Sequence, residues 1–425
     1  MIKIYYADSL EKEDILSRSI SDNSAIETTV QAILDDVKTN GDAALLAYTE
    51  KFDGVKLQSL TVSKDEIDHA LSITDPYLID TMKMAAERIK KFHAAQCEND
   101  YIINQDNGIV LGQKITPIAR VGLYVPGGTA SYPSSVLMNA IPAKLAGVKN
   151  ICITTPPSKD GSIAAPILVA ASIAGVDIIY KVGGAQAVAA LTYGTESITP
   201  VDKIVGPGNA YVAAAKRRVF GIVDIDMVAG PSEILVIADE NCNPSYVAAD
   251  MLSQAEHDRL AQAILITNSE ALAKAVQQEL EVQIEAAPRR DICRVSIDNY
   301  GKIIIADSID KAIEISNMIA PEHLEICVDE PFRYLNAIKN AGSIFLGRNV
   351  PEALGDYFAG PNHTLPTNGT ARFSSPLGVY DFQKRSSFIY YSDEALKEVG
   401  DRIVNFAEHE GLYAHANSVQ IRLNK

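Results

Sequence analysis

Five of the seven histidines fall after residue 256: His257, His323, His363, His409 and His415. Oxygen donors accompany them. Glu322 precedes His323, Asp356 stands seven residues before His363, and Glu410 stands five before His415. Gln254 and His257 share one face at the end of a helical pattern, at i and i+3. An imidazole that titrates near neutrality can take and return protons at physiological pH. Nitrogen and oxygen donors together suit Zn²⁺ or Mn²⁺. HExxH and Cys/His finger spacings are absent, so the set is scattered rather than a motif. Each group also has an ordinary reading. A histidine at a helix C-terminus can simply answer the helix dipole. Glu322 and His323, adjacent on a strand, point to opposite faces and serve one site only at an irregular edge. Cys327, between Ile326 and Val328, reads as a buried structural thiol rather than a nucleophile.

Glycines follow several apolar runs, at Gly127-Gly128, Gly183-Gly184, Gly206 with Gly208, and Gly230. At the carboxyl edge of a parallel sheet such glycines let the backbone approach a ligand. The dinucleotide pattern GxGxxG is not met, because Tyr211 occupies the third glycine position after Gly206 and Gly208. The residues alone therefore give a nucleotide weak support.

These groups need a scaffold, and the hydrophobic pattern supplies one. Residues 24–100 read as helical, with apolar residues three and four apart in Ala25–Val37 and Asp75–Lys91. From Arg120, short β-prone runs alternate with helical ones: Val121–Val125, Asn150–Thr154, Asp177–Val182 and Lys203–Val205. That alternation is the rhythm of a parallel α/β sheet. A second series starts at Ile234–Ala238 and continues through Ala263–Thr267, Lys302–Ala306, His323–Val328 and Ser343–Leu346. Helices are expected near Ser269–Glu285, Ser308–Met318 and Phe332–Lys339. Residues 348–387, rich in Gly, Pro, Asn, Thr and Ser, break the rhythm and read as a functional loop. Asp393–Lys425 reads as a helix and a tail.

Composition excludes several classes. Over 425 residues, 47% hydrophobic and 22% charged content is ordinary for a globular protein and rules out a disordered chain. A net charge of −16 argues against nucleic acid or an anionic membrane as partner. The most apolar stretch, Ile163 to Tyr180, is broken by Pro166, Gly175 and Asp177. The N-terminus turns polar at once, and five scattered cysteines suggest free thiols. A cytoplasmic location is the expectation.

Nine stretches in order resemble the histidinol dehydrogenase family, over nearly the whole chain. They are 122–128 (GLYVPGG), 182–190 (VGGAQAVAA), 205–211 (VGPGNAY), 226–235 (DMVAGPSEIL), 253–257 (SQAEH), 320–325 (APEHLE), 360–367 (GPNHTLPT), 381–386 (DFQKRS) and 410–415 (EGLYAH). The resemblance implies a zinc-dependent, two-step, NAD-linked oxidation of L-histidinol through L-histidinal to L-histidine, the last step of histidine biosynthesis. It places one Zn²⁺ per subunit on Gln254, His257, Asp356 and His415. It makes Glu322 and His323 the catalytic pair. It gives substrate contacts to Ser232, Gln254, His257, His323, Asp356, His363, Glu410 and His415, and NAD contacts to Tyr124, Gln186 and Asn209. The implied fold is α/β: two incomplete Rossmann-like parallel-sheet domains, a helical N-terminal segment and a C-terminal tail. In the implied intertwined homodimer, Glu410 and His415 complete the partner's site. The corresponding division is an arm at 1–20, a first domain at 21–115 plus 237–380 carrying metal and catalytic residues, an NAD-side domain at 116–236, and a helical tail at 381–425. A relative acting on another polar alcohol is the alternative. A zinc hydrolase using Glu322 is a remoter one, and cofactor dependence separates the two.

Overall fold

The computed structural model describes residues 1–16, 24–127 and 131–424. Gly128 of the first glycine pair therefore lies outside the described residues, as does the end of the expected arm, 17–20.

Strands in chain order are β1 (Lys3–Tyr6), β2 (Tyr101–Gln105), β3 (Ile109–Pro117), β4 (Arg120–Tyr124), β5 (Asn150–Thr155), β6 (Ile178–Lys181), β7 (Lys203–Val205), β8 (Asp224–Ile225), β9 (Glu233–Ala238), β10 (Gln262–Thr267), β11 (Lys302–Ile305), β12 (His323–Cys327), β13 (Ser343–Leu346) and β14 (Gln383–Tyr391). Two sheets are parallel throughout. One has the order β6-β5-β4-β7-β8, the other β1-β11-β10-β9-β12-β13. The chain is thus α/β, as expected.

Period-2 alternation explains why helices cover both faces of each sheet. On β9, Ile234, Val236 and Ala238 enter one buried cluster, while Leu235 and Ile237 enter another on the opposite face. On β4, Leu123 and Tyr124 divide in the same way between two clusters. Helix starts are chemically marked. Asn243 accepts from the Ser245 amide and Pro244 opens Pro244–Ala255, the helix that carries Gln254.

Three differences from the sequence reading have clear physical causes. First, the N-terminal helices pack mainly on the five-stranded sheet, and helix Pro76–Ala94 also meets Phe358, Leu377 and Val379 of the 237–380 segment. Val30, Leu34 and Val37 of helix Ser24–Asp53 join the cluster of Tyr180 and Val188, and Met82 and Ile89 of helix Pro76–Ala94 join that of Leu123. Only the first residues of the chain, through β1, join the six-stranded sheet. Second, the segment expected as a helical tail at 381–425 opens with the strand β14. It pairs antiparallel with β3, which pairs with β2 in a third sheet; two helices follow, Asp393–His409 and Tyr413–Leu423. Third, the expected helix at Phe332–Lys339 is two 3₁₀ turns, and Arg290–Tyr300, unmarked in the sequence reading, is helical. Among the described residues no helix is long and apolar enough to cross a membrane.

Candidate active site

The first residue of β9 orients two reactive side chains through its main chain. The Glu233 amide donates to Glu322 Oε2 at 2.8 Å, and His323 Nδ1 donates to the Glu233 carbonyl at 3.0 Å. Because a carbonyl only accepts, that bond fixes the proton on Nδ1 and leaves Nε2 as the free, basic nitrogen. The irregular edge needed to bring neighbours to one site is present. Ala320 ends helix Ile309–Ile319 at φ 54, Pro321 follows, and regular pairing of β12 begins only at His323. A left-handed alanine costs about 1 kcal/mol, a strain typical of functional turns.

His323 Nε2 lies 3.7 Å from Glu352 Oε1 and 3.7 Å from Asp356 Oδ1, close enough for charge attraction but too far for hydrogen bonds. Ligand atoms of His323, Glu352 and Asp356 lie within 4.8 Å of one another, a group able to hold a metal ion. Asp356 sits in a π-helical turn, Gly355–Ala359, a local geometry often found at functional sites. Burial would lower the His323 pKa, but the Glu322, Asp356 and Glu352 carboxylates prevail and push it up to about 10. Burial pushes Glu322 up to about 8, against the opposing pull of His323. Burial likewise raises Glu352 to about 7. Asp356 resists burial through His323 and His363 and stays below the ordinary carboxylate range.

The irregular loop closes the site from both sides. His363 Nδ1 donates to the Asp356 carbonyl at 3.1 Å, and its Nε2 lies 3.2 Å from Ser135 Oγ on the other unit. A cavity of about 110 Å³ is lined by His323, Asp356 and His363 on its polar side and by Phe345 and Leu365 on its apolar side. Ser232 Oγ lies 3.3 Å from His257 Nδ1, and burial lowers the His257 pKa while Asp356 opposes it.

Gln254 is completely buried, and neither its Oε1 nor its Nε2 has a hydrogen-bond partner. Such an amide is costly unless something binds it. Its Oε1 can serve as a metal ligand, so the neighbourhood fits the expected ion. Of the expected metal set, Asp356 alone is in the compact cluster. His257 feels the Asp356 charge, whereas His415 and Glu410 are exposed on the C-terminal helices, and the single chain does not bring them to the site.

The expected cofactor residues do converge. Tyr124, Gln186 and Asn209 line a cavity of about 860 Å³ with Gly127, Thr155, Pro156 and Gly184. These positions follow β4, β5, β6 and β7, the carboxyl edge of the five-stranded sheet. Tyr124 Oη accepts from the Gly184 amide at 3.0 Å, and burial pushes the phenol up to about 12. Gly206, at φ 111, brings its turn against the Tyr124 carbonyl, where a Cβ would lie 2.2 Å from the oxygen. Lys216 and Asp226, both buried, form an ion pair behind that turn. Lys216 Nζ donates to the Gly206 carbonyl at 2.9 Å, and the Gly206 amide donates to Asp226 Oδ2 at 2.7 Å. Asn209 caps the next helix, accepting from the Tyr211 and Val212 amides.

The sequence reading missed Glu352, Glu233, the buried Glu325 and the half-buried Asp250. The Glu325 carboxylate accepts from the Glu352 amide at 2.8 Å, and Glu352 accepts from Ser253 Oγ at 3.0 Å. Burial raises Asp250 to about 6 and raises Glu325 well above its usual value. Signals for two of them existed: Glu325 shares a strand face with His323, and Glu352 stands one helical turn before Asp356. Cys327 is buried, its thiol pushed far up by burial and by Glu325, which agrees with a structural role.

Two parallel sheets, a buried His–carboxylate centre and a separate glycine-edged cavity are the frame of an α/β enzyme with two candidate sites. The family model for histidinol dehydrogenase matches residues 16–423, and the chain belongs to that family. It is 57% identical to histidinol dehydrogenase of Clostridium acetobutylicum, with 99% of each chain covered. It is 55% identical to that of Bacillus subtilis, over 93% of this chain and 92% of the relative. The crystal structure of histidinol dehydrogenase from Elizabethkingia anophelis superposes with a TM-score of 0.96 at 42% identity, covering 100% of this chain and 98% of that one. The chain is therefore an oxidoreductase, and family, relatives and fold together support histidinol dehydrogenase function.

Proposed function

We propose that the chain oxidises L-histidinol to L-histidine in two hydride transfers to NAD⁺, with His323 and Glu322 moving the protons. The observation that carries this reading is the shared anchor on Glu233, which frees Nε2 of His323 and turns Glu322 to the same edge. In the first step His323 Nε2 takes the hydroxyl proton as hydride leaves the carbinol carbon for the nicotinamide. In the second, Glu322 takes a proton from the water that adds to the aldehyde while His323 returns its proton to the aldehyde oxygen, and the diol then gives a hydroxyl proton to His323 as hydride leaves for a second NAD⁺. Burial holds the reactive aldehyde away from bulk water between the steps. His363 and Ser232, beside Asp356 and His257, would position the substrate.

Gln254, His257 and Asp356 would hold Zn²⁺, with His415 from a partner subunit. The ion would anchor the substrate's imidazole and amine, and its charge would bring His323 back toward neutrality. Glu410 would meet the amine, also from the partner. Support for a homodimer comes from the apolar surface that the single chain exposes along β2, β14 and the C-terminal helices, including Ile102, Ile389, Phe406 and Tyr413. Tyr124, Gln186 and Asn209 would hold NAD.

The test is NADH formed per L-histidinol consumed, with and without a chelator. Two NADH, L-histidine as product and chelator sensitivity support the reading. One NADH with released aldehyde would remove Glu322 from its role. No NADH from a zinc-loaded enzyme would turn the assignment toward another alcohol.

A further inference from the structure

We propose that Asp53 selects the dinucleotide: its carboxylate accepts a hydrogen bond from a free ribose hydroxyl and turns away a ribose carrying a 2′-phosphate. The inference rests on the reading of the large cavity as the NAD site. Asp53 is the last residue of helix Ser24–Asp53 and forms part of the cavity wall, near Tyr124. Its Oδ2 is shut off from solvent without a hydrogen-bond partner, so the oxygen that a ligand in the cavity can reach is Oδ1. Burial alone pushes the acid up to about 6, and no cation or hydrogen bond opposes that push.

The position is a poor one for an acid on structural grounds. A helix C-terminus carries partial negative charge, so a carboxylate there is disfavoured. A half-buried charge without a partner is disfavoured again. Folding gains nothing from the charge, and the cavity is the side from which a donor can come. A ribose diol supplies such donors, and a hydrogen bond to a charged acceptor is among the stronger ones. A phosphate dianion in the same place would meet like charge at short range. Lys159, the cationic residue on the cavity wall, is exposed and would be screened by solvent.

Calorimetric titration of NAD⁺ and NADP⁺ into the intact enzyme tests this, with Asp53→Asn and Asp53→Ser beside the wild type. The wild type is expected to bind NAD⁺ at least about tenfold more tightly than NADP⁺, ~1.4 kcal/mol. Both variants should lose about tenfold in NAD⁺ affinity, keep or improve NADP⁺ affinity, and melt no lower than the wild type. The combination matters, because a merely structural acid would lower the melting temperature and weaken both ligands alike. Unchanged NAD⁺ affinity and preference in the variants would overturn the inference while leaving the cavity assignment intact. A wild type that binds no NAD⁺ would overturn the cavity assignment itself.

Discussion

Replacing Gln254 with methionine should make the metal-free protein more stable and the zinc response smaller. The amide is fully buried and both of its polar atoms lack partners. An unsatisfied buried polar group costs about 1–3 kcal/mol, and an apolar side chain of similar length removes that cost. After allowance for imperfect packing, a gain of about 1 kcal/mol in the stripped protein is expected. For the wild type, zinc at about a hundred times its dissociation constant adds about 2.7 kcal/mol. If losing the amide weakens the site about a hundredfold, the same zinc adds only about 0.4 kcal/mol. Thermal melts of both proteins, stripped with chelator and then titrated with zinc, read the two effects separately. A variant that is less stable than the wild type without metal would mean that the amide has partners in the fold. A variant that keeps the full zinc shift would remove Gln254 from the ligand set.

Co-expressing Glu322→Gln with His415→Ala chains should restore L-histidine formation that neither variant shows alone, because one site of the mixed dimer is intact. Absence of restored activity from purified heterodimer would place His415 in its own chain's site. Lys216→Met should cost about 3 kcal/mol in urea unfolding, since it leaves Asp226 charged and buried beside the Gly206 turn; a loss under about 1 kcal/mol would refute the pair's role. His93 is buried with Nε2 unpartnered, and burial lowers its pKa. The unfolded chain takes that proton near pH ~6.5, so stability is full above that pH and falls as the pH drops below it. His93→Leu should flatten urea midpoints between pH ~7.5 and ~5.5, and an unchanged slope would exonerate the histidine.

Features set by local chemistry were legible in the sequence. The runs at Ile234–Ala238 and Ser343–Leu346 are parallel strands because near-continuous apolar segments bounded by helices have few other solutions. Tyr124, Gln186 and Asn209 were grouped by the family resemblance, and they line one cavity because each stands at or just after the end of a strand of one sheet. The catalytic edge could not be read in this way. His323 and Glu233 open their strands, so they gather at the amino edge of the six-stranded sheet, opposite to where its strand-end turns would point. On the proposed assignments, a ligand would meet the carboxyl edge of one sheet and the amino edge of the other. The pairing of β14 with β3 was also out of reach, because both strands are short of buried apolar residues and lie more than 260 residues apart in the chain. The same exposure explains why Glu410 and His415 stand away from the centre. A tail that leaves Ile389, Phe406 and Tyr413 open to water fits the proposed homodimer, in which Glu410 and His415 would act only where a partner subunit places them.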